Sequence, residues 1–160
     1  MLQRFHRWYH YEMDMHAKVL ASIETIGERG RADGLYQRCL DLFAHILLAR
    51  RFWLHRLGVT EKPPTGFFPS GKTSEALKVD SAEVETMWHD YLTNLTDDDL
   101  PRSIEYTSTE GPRFRSTVED TLTQLFGHSW YHRGQIAALV RAGGGTPAET
   151  DFVFWAREAL

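Results

Sequence analysis

A single cysteine, Cys39, in 160 residues leaves no partner for an internal disulfide and excludes a multi-cysteine zinc site. No apolar run approaches the roughly 18 residues a membrane span needs, so no membrane association is expected. The first residues are rich in charge and histidine and lack the apolar core of a signal peptide. A cytoplasmic location is therefore expected. Basic charge is not in excess. The formal net charge is −4, which provides no global field suited to nucleic acid. Internal repeats and low-complexity tracts are also missing.

What is present is ordinary for a soluble globular chain, with 42% hydrophobic and 25% charged residues. The length suits one domain, residues 1–160, with a substantial core. Five tryptophans and nine phenylalanines imply a bulky interior.

Apolar residues at three- and four-residue steps predict four long helices. The first runs from Met1 to about Gly27 through Leu2, Phe5, Met13, His16 and Ile23. The second opens at Asp33 or Gly34 and ends at Leu57, with the stripe Leu35, Cys39, Leu42, Phe43, Ile46, Leu47, Trp53 and Leu57. The segment Val59–Val79 carries three prolines, two glycines and the pair Phe67-Phe68, which forbid a regular helix. A loop of this length is commonly functional or packed over a groove, and the favoured reading is a crossover that plugs one end of the bundle with two aromatics. A third helix is expected from a cap at Asp80 or Ser81, with Glu83 in a capping box, to about Leu95. Ser103–Thr107 and Arg113–Arg115 alternate about a turn at Glu110-Gly111-Pro112, predicting a small β-hairpin or extended excursion. Ser116 with Glu119 predicts a fourth helix from about Thr117 to Arg141, stopped by Gly143-Gly144-Gly145. Pro147–Leu160 should close the chain with a short helix. The expected fold class is all-α, a four-helix bundle.

The stretch Gly127–Ile136, G-H-S-W-Y-H-R-G-Q-I, organises the chemistry. His128 and His132 are four apart, which stacks two imidazoles on one helix face. Leu125, Ile136 and Leu139 continue that face, so it should point into a core. On spacing alone the pair can share a metal or simply hydrogen-bond, since eight histidines make a chance pair unsurprising. A third ligand must come from elsewhere. His45, a lone polar ring in A-H-I-L-L-A, falls beside the second helix's stripe and supplies that nitrogen. Asp41, one turn earlier, could orient the His45 ring or simply face solvent. His6 and His10 form a second pair at the same spacing, read as surface histidines, although His10 could reach a central cavity. His16, His55 and His89 read as surface or satisfied histidines. Arg133, one step off the ligand face, is expected to form a salt bridge to a neighbouring helix. Gln124 and Gln135 are candidates for hydrogen bonds to ligands or substrate, or for packing and capping.

These residues resemble the DinB-like superfamily of four-helix metalloproteins, which includes the YfiT-type proteins. Phe5-His6-Arg7-Trp8-Tyr9-His10 is similar to its aromatic-Asn-x-Trp-Ala-Asn opening, with histidine where asparagine is usual. Phe43–Leu54 resembles its second-helix motif, a histidine followed eight residues on by tryptophan. His128-Ser129-Trp130-Tyr131-His132-Arg133-Gly134-Gln135 resembles the H-x-x-x-H-R-G-Q signature, the most specific match. Glu110-Gly111 with Arg115-Ser116-Thr117, and Asp151-Phe152, resemble the excursion and the closing segment. Gln124 departs from the histidine found in many relatives, at a position outside the usual three ligands.

The resemblance implies a divalent metal, usually nickel or zinc, on His45, His128 and His132. It implies a homodimer acting on a small molecule. Relatives suggest two chemistries: S-transfer or maleylpyruvate isomerisation with a low-molecular-weight thiol such as mycothiol or bacillithiol, or metal-dependent hydrolysis. A non-catalytic metal-binding stress protein, or a dimeric ligand-binding module, is the alternative from another class.

Overall fold

The computed structural model of the protein describes residues 1–108 and 110–159. Four long helices carry it: α1 (Leu2–Glu24), α3 (Leu35–Arg56), α4 (Ser74–Thr93) and α5 (Val118–Ala142). Two short ones, α2 (Glu28–Ala32) and α6 (Phe152–Ala156), follow α1 and close the chain. α3 packs against α5, α4 and α1, and α1 packs against α5 and α4. The expected bundle is present, with the expected hairpin before the last long helix. β1 (Ser103–Thr107) pairs antiparallel with β2 (Arg113–Thr117), Ser103 opposite Thr117 and Thr107 opposite Arg113. Among the described residues no helix is long and apolar enough to cross a membrane. The expected closing segment reaches Leu160, which lies outside the described residues.

Two helix starts and one added helix differ from expectation. α4 begins at Ser74, capped by the Thr73 side chain accepting from Ala76 N at 3.2 Å, not at Asp80. Leu77 and Ser81 are buried, so the stripe through Val84, Trp88 and Leu92 starts a turn and a half earlier. Asp80 lies inside the helix and pairs with Lys72 and Arg51. The cap of α5 is Thr117 with Asp120, not Ser116 with Glu119, and both bonds of the capping box are made. α2 was not foreseen. It docks on the glycine run after α5, where Gly27 N donates to Gly143 O at 3.2 Å.

That contact sets a steric limit. A Cβ at buried Gly30 would lie 2.7 Å from both Cα and O of Gly143, which are backbone and cannot swing aside. Gly30→Ala is therefore expected to destabilise the fold by about 1–3 kcal/mol despite alanine's better helix propensity. Thermal melts beside the wild type check this, and an unchanged or raised midpoint would refute it.

Among the described residues the apolar core has two large clusters and a small third one of Tyr11, Met15 and Phe126. One end packs Val19, Ile23, Phe43, Ile46, Leu77, Ile136 and Val140. The other packs Phe5, Leu54, Val84, Trp88, Leu92, Val118 and Leu122. Between them lies a buried polar layer. Glu12 of α1 accepts from Arg50 Nη2 of α3 and Arg133 Nη1 of α5, each at 2.5 Å. Arg50 also donates to Ser129 Oγ at 3.1 Å, and Arg133 to Tyr11 Oη at 3.1 Å. His16 belongs to this layer and is fully buried against Phe43, not at the surface. Its ring nitrogens stand 3.7 Å from Glu12 and 3.6 Å from Glu85, beyond hydrogen-bond length, so it is not satisfied either. Burial holds the His16 imidazole below its ordinary pKa.

Candidate metal centre

α5 presents His128 and His132 one turn apart, and α3 presents His45 opposite them. All three rings are half-buried, and one nitrogen from each lies within 4.8 Å of the others. Contrary to the sequence expectation, the histidines do not take the core stripe of α5. Leu122, Leu125, Ser129, Arg133, Ile136 and Val140 take it. The histidines sit one step round, at its edge. The turn that holds the rings thus also carries Arg133, whose salt bridge to α1 is the one expected.

The protein fixes the outer nitrogen of two rings. His45 Nδ1 donates to the Phe67 carbonyl at 2.9 Å. His132 Nδ1 donates to Gln135 Oε1 at 2.7 Å. Such bonds set the tautomer and leave each Nε2 as a bare lone pair. His128 Nε2 and His132 Nε2 are 3.1 Å apart. Two nitrogens bound at 2.0–2.1 Å to one tetrahedral ion stand about 3.3 Å apart, so the pair already has a chelate spacing. A nitrogen of His45 lies within 4.8 Å of this pair. Two of the rings, His128 and His132, are also held toward the neutral form. Burial, with His132 and His45 nearby, pushes the His128 imidazole down to about 4. Burial lowers His132 as well, against the opposing bond to Gln135.

The segment after α3 is part of this site and does not plug the bundle end. Phe68 stacks on the His45 ring, with centroids 4.9 Å apart and planes at 12°, yet is 81% exposed. Phe67 stacks on Phe52 at 5.2 Å. Asp41 Oδ1 accepts from Gly71 N at 3.0 Å and Gln37 Nε2 at 2.9 Å. It therefore pins the segment, and the Phe67 carbonyl orients the ring. A cleft of about 530 Å³ opens beside His45 and Gln135, walled by Leu42, Phe68, Pro69 and Leu139. That size admits a small organic molecule.

The remaining candidates lie elsewhere. Gln124 is exposed on α5, and His10 is exposed in a different cleft with His6 and Trp155. His55 Nδ1 is bonded to Thr60 O at 2.9 Å, and His89 is exposed. Sequence reasoning missed Glu12 and Arg50. Arg50 lies on the Phe43–Ile46–Leu47–Leu54 stripe, which was the available signal.

No curated protein matches the chain. The crystal structure of a DinB-like protein from Bacillus cereus ATCC 10987 superposes with a TM-score of 0.67 at 24% identity. The match covers 91% of this chain and 94% of that one, and it shows a shared fold. The family model described as DinB family matches residues 6–159, nearly the whole chain, and the chain belongs to that family.

Proposed function

We propose that His45, His128 and His132 hold a divalent ion, nickel or zinc, and that the protein is a metal-dependent enzyme acting on a small molecule. The observation that carries this is the convergence of three imidazoles, two with their outer N–H already bonded, beside a concave apolar cleft. Such an ion supplies Lewis acidity and makes a thiol or a water more acidic near neutral pH.

The chain's own residues do the rest. Gln135 and the Phe67 carbonyl hold two rings in the tautomer that faces the centre. Leu42, Leu139 and Phe68 give one flank of the cleft an apolar lining. The thiol of the chain is not the nucleophile: Cys39 is buried beneath Ile136, and burial pushes it up to about 11. A reactive sulfur must therefore arrive on a cosubstrate. S-transfer or isomerisation with a low-molecular-weight thiol is the preferred reading, and hydrolysis is the alternative at the same centre. Action as a cytoplasmic, single-domain homodimer is part of this proposal.

The test pairs elemental analysis of the purified protein with a panel of small thiols and electrophiles. The expected result is a stoichiometric divalent ion and conjugation that stops on chelation and returns with nickel or zinc. Protein that carries and takes up no metal would overturn the reading. Stoichiometric metal with no turnover of any pair would leave a binding protein instead.

A further inference from the structure

Arg56 lies eleven residues after His45 on α3, about three helical turns, so the two share a face. Its guanidinium is half-buried among three rings: Tyr106 at 4.5 Å, Trp53 at 4.6 Å and Phe52 at 5.9 Å. Tyr106 comes from β1 and meets Trp53 edge-on at 5.1 Å, so the hairpin closes this aromatic cage. Burial lowers the Arg56 pKa, and only the Tyr106 hydroxyl counters it. Glu105 lines an outer cleft with Arg56, but Arg113 and Arg115 hold its carboxylate. Among the described residues no carboxylate lies within ion-pair distance of Arg56. Aromatic faces stabilise the plane of a guanidinium and leave its rim of N–H donors unused.

A single cavity of about 220 Å³ is lined by both His45 and Arg56, with Ala49, Phe52 and Trp53 between them on α3 and Phe67 facing. Helical side chains lean toward the N-terminus, and Arg56 rests over Phe52 and Trp53. Its head therefore stands about 10–12 Å from His45 along the helix axis. A half-buried cation without a counter-charge, at a fixed distance from a reactive centre and joined to it by one cavity, is an anion receptor for a molecule spanning both.

We propose that Arg56 anchors the carboxylate of an elongated small substrate whose other end reaches His45, His128 and His132. This deepens the metal-enzyme reading and rests on it for what happens at the histidines.

Calorimetric titration of the metal-loaded protein tests it with three eight-carbon probes: 8-mercaptooctanoate, 8-mercaptooctanol and octanoate. The wild type is expected to bind the mercapto-acid about tenfold or more tightly than the mercapto-alcohol, as a charge-assisted bond would give. Arg56→Gln should close that gap, Arg56→Lys should keep part of it, and unchanged circular dichroism would show that both are folded. Equal binding of acid and alcohol by the wild type, or a gap that survives Arg56→Gln, would overturn the anchor. The other reading is read separately, from the mercapto-acid against octanoate. If the acid preference runs through Arg56 but the thiol adds nothing, the anchor stands and the thiol chemistry at the histidines fails.

Discussion

Glu12→Gln is expected to cost the fold about 3–5 kcal/mol, the range seen when one partner of a buried ion pair is removed. For a chain of this length that lowers the melting midpoint by roughly 6–20 °C. The reason is the number of charges left behind. Glu12 is the single carboxylate bonded to both Arg50 and Arg133, and all three are buried. Glutamine keeps the volume but removes the counter-charge from two guanidiniums on different helices. Neither can compensate locally, since Nε of each already lacks a partner. The clamp between α1, α3 and α5 would open at mid-bundle.

The pH dependence has a definite sign. Burial alone would raise the Glu12 carboxyl, but the Arg50 and Arg133 guanidiniums outweigh it and hold it low. A carboxylate held low in the fold contributes fully at neutral pH. Its contribution is lost as pH falls through the folded value. Urea unfolding at pH 7 and in acid should therefore show the wild type and Glu12→Gln converging as pH drops. Replacing Glu12, Arg50 and Arg133 together with apolar residues of similar size should regain most of the loss. A single variant within 1 kcal/mol of the wild type at pH 7 would show that the triad is no clamp.

This triad also marks where the sequence stops being legible. The histidine cluster could be read because its parts are local: a four-residue spacing on one helix and a lone ring in an apolar run on another. The hairpin and the bundle follow likewise from alternation and helical period. Glu12, Arg50 and Arg133 defeat such reading. A charge is assigned to solvent by any hydropathy rule, and the partner that makes burial tolerable is 38 residues away for Arg50 and 121 for Arg133. The start of α4 failed for a different reason. Asp80–Glu83 and Thr73–Ala76 are both plausible caps, and the choice is made by Leu77 reaching the core from the earlier turn. Phe67 and Phe68 were placed at the bundle end because aromatics usually fill gaps. They are held beside the histidines instead, by stacking on Phe52 and the His45 ring and by the Phe67 carbonyl accepting from His45.

Removing a ligand should have the second large effect, and it separates an ion site from a hydrogen-bonded trio. His45→Ala, His128→Ala and His132→Ala are each expected to weaken metal binding by at least about a hundredfold. Gln135→Ala, which only orients His132, should fall within the 10–100-fold of an outer partner. His89→Ala, exposed on α4, is the control and should change nothing. Competition against a chromophoric chelator measures each constant. Stability should follow by mass action. At an ion concentration about a hundred times the dissociation constant, the wild type gains about 2.7 kcal/mol, a rise of roughly 5–10 °C. Chelation should remove that gain from the wild type and leave His45→Ala where it was. Imidazoles that merely bond to one another would lose stability on substitution but would ignore the chelator. Sensitivity that disappears with His45, a residue on α3, is what a centre shared between two helices requires.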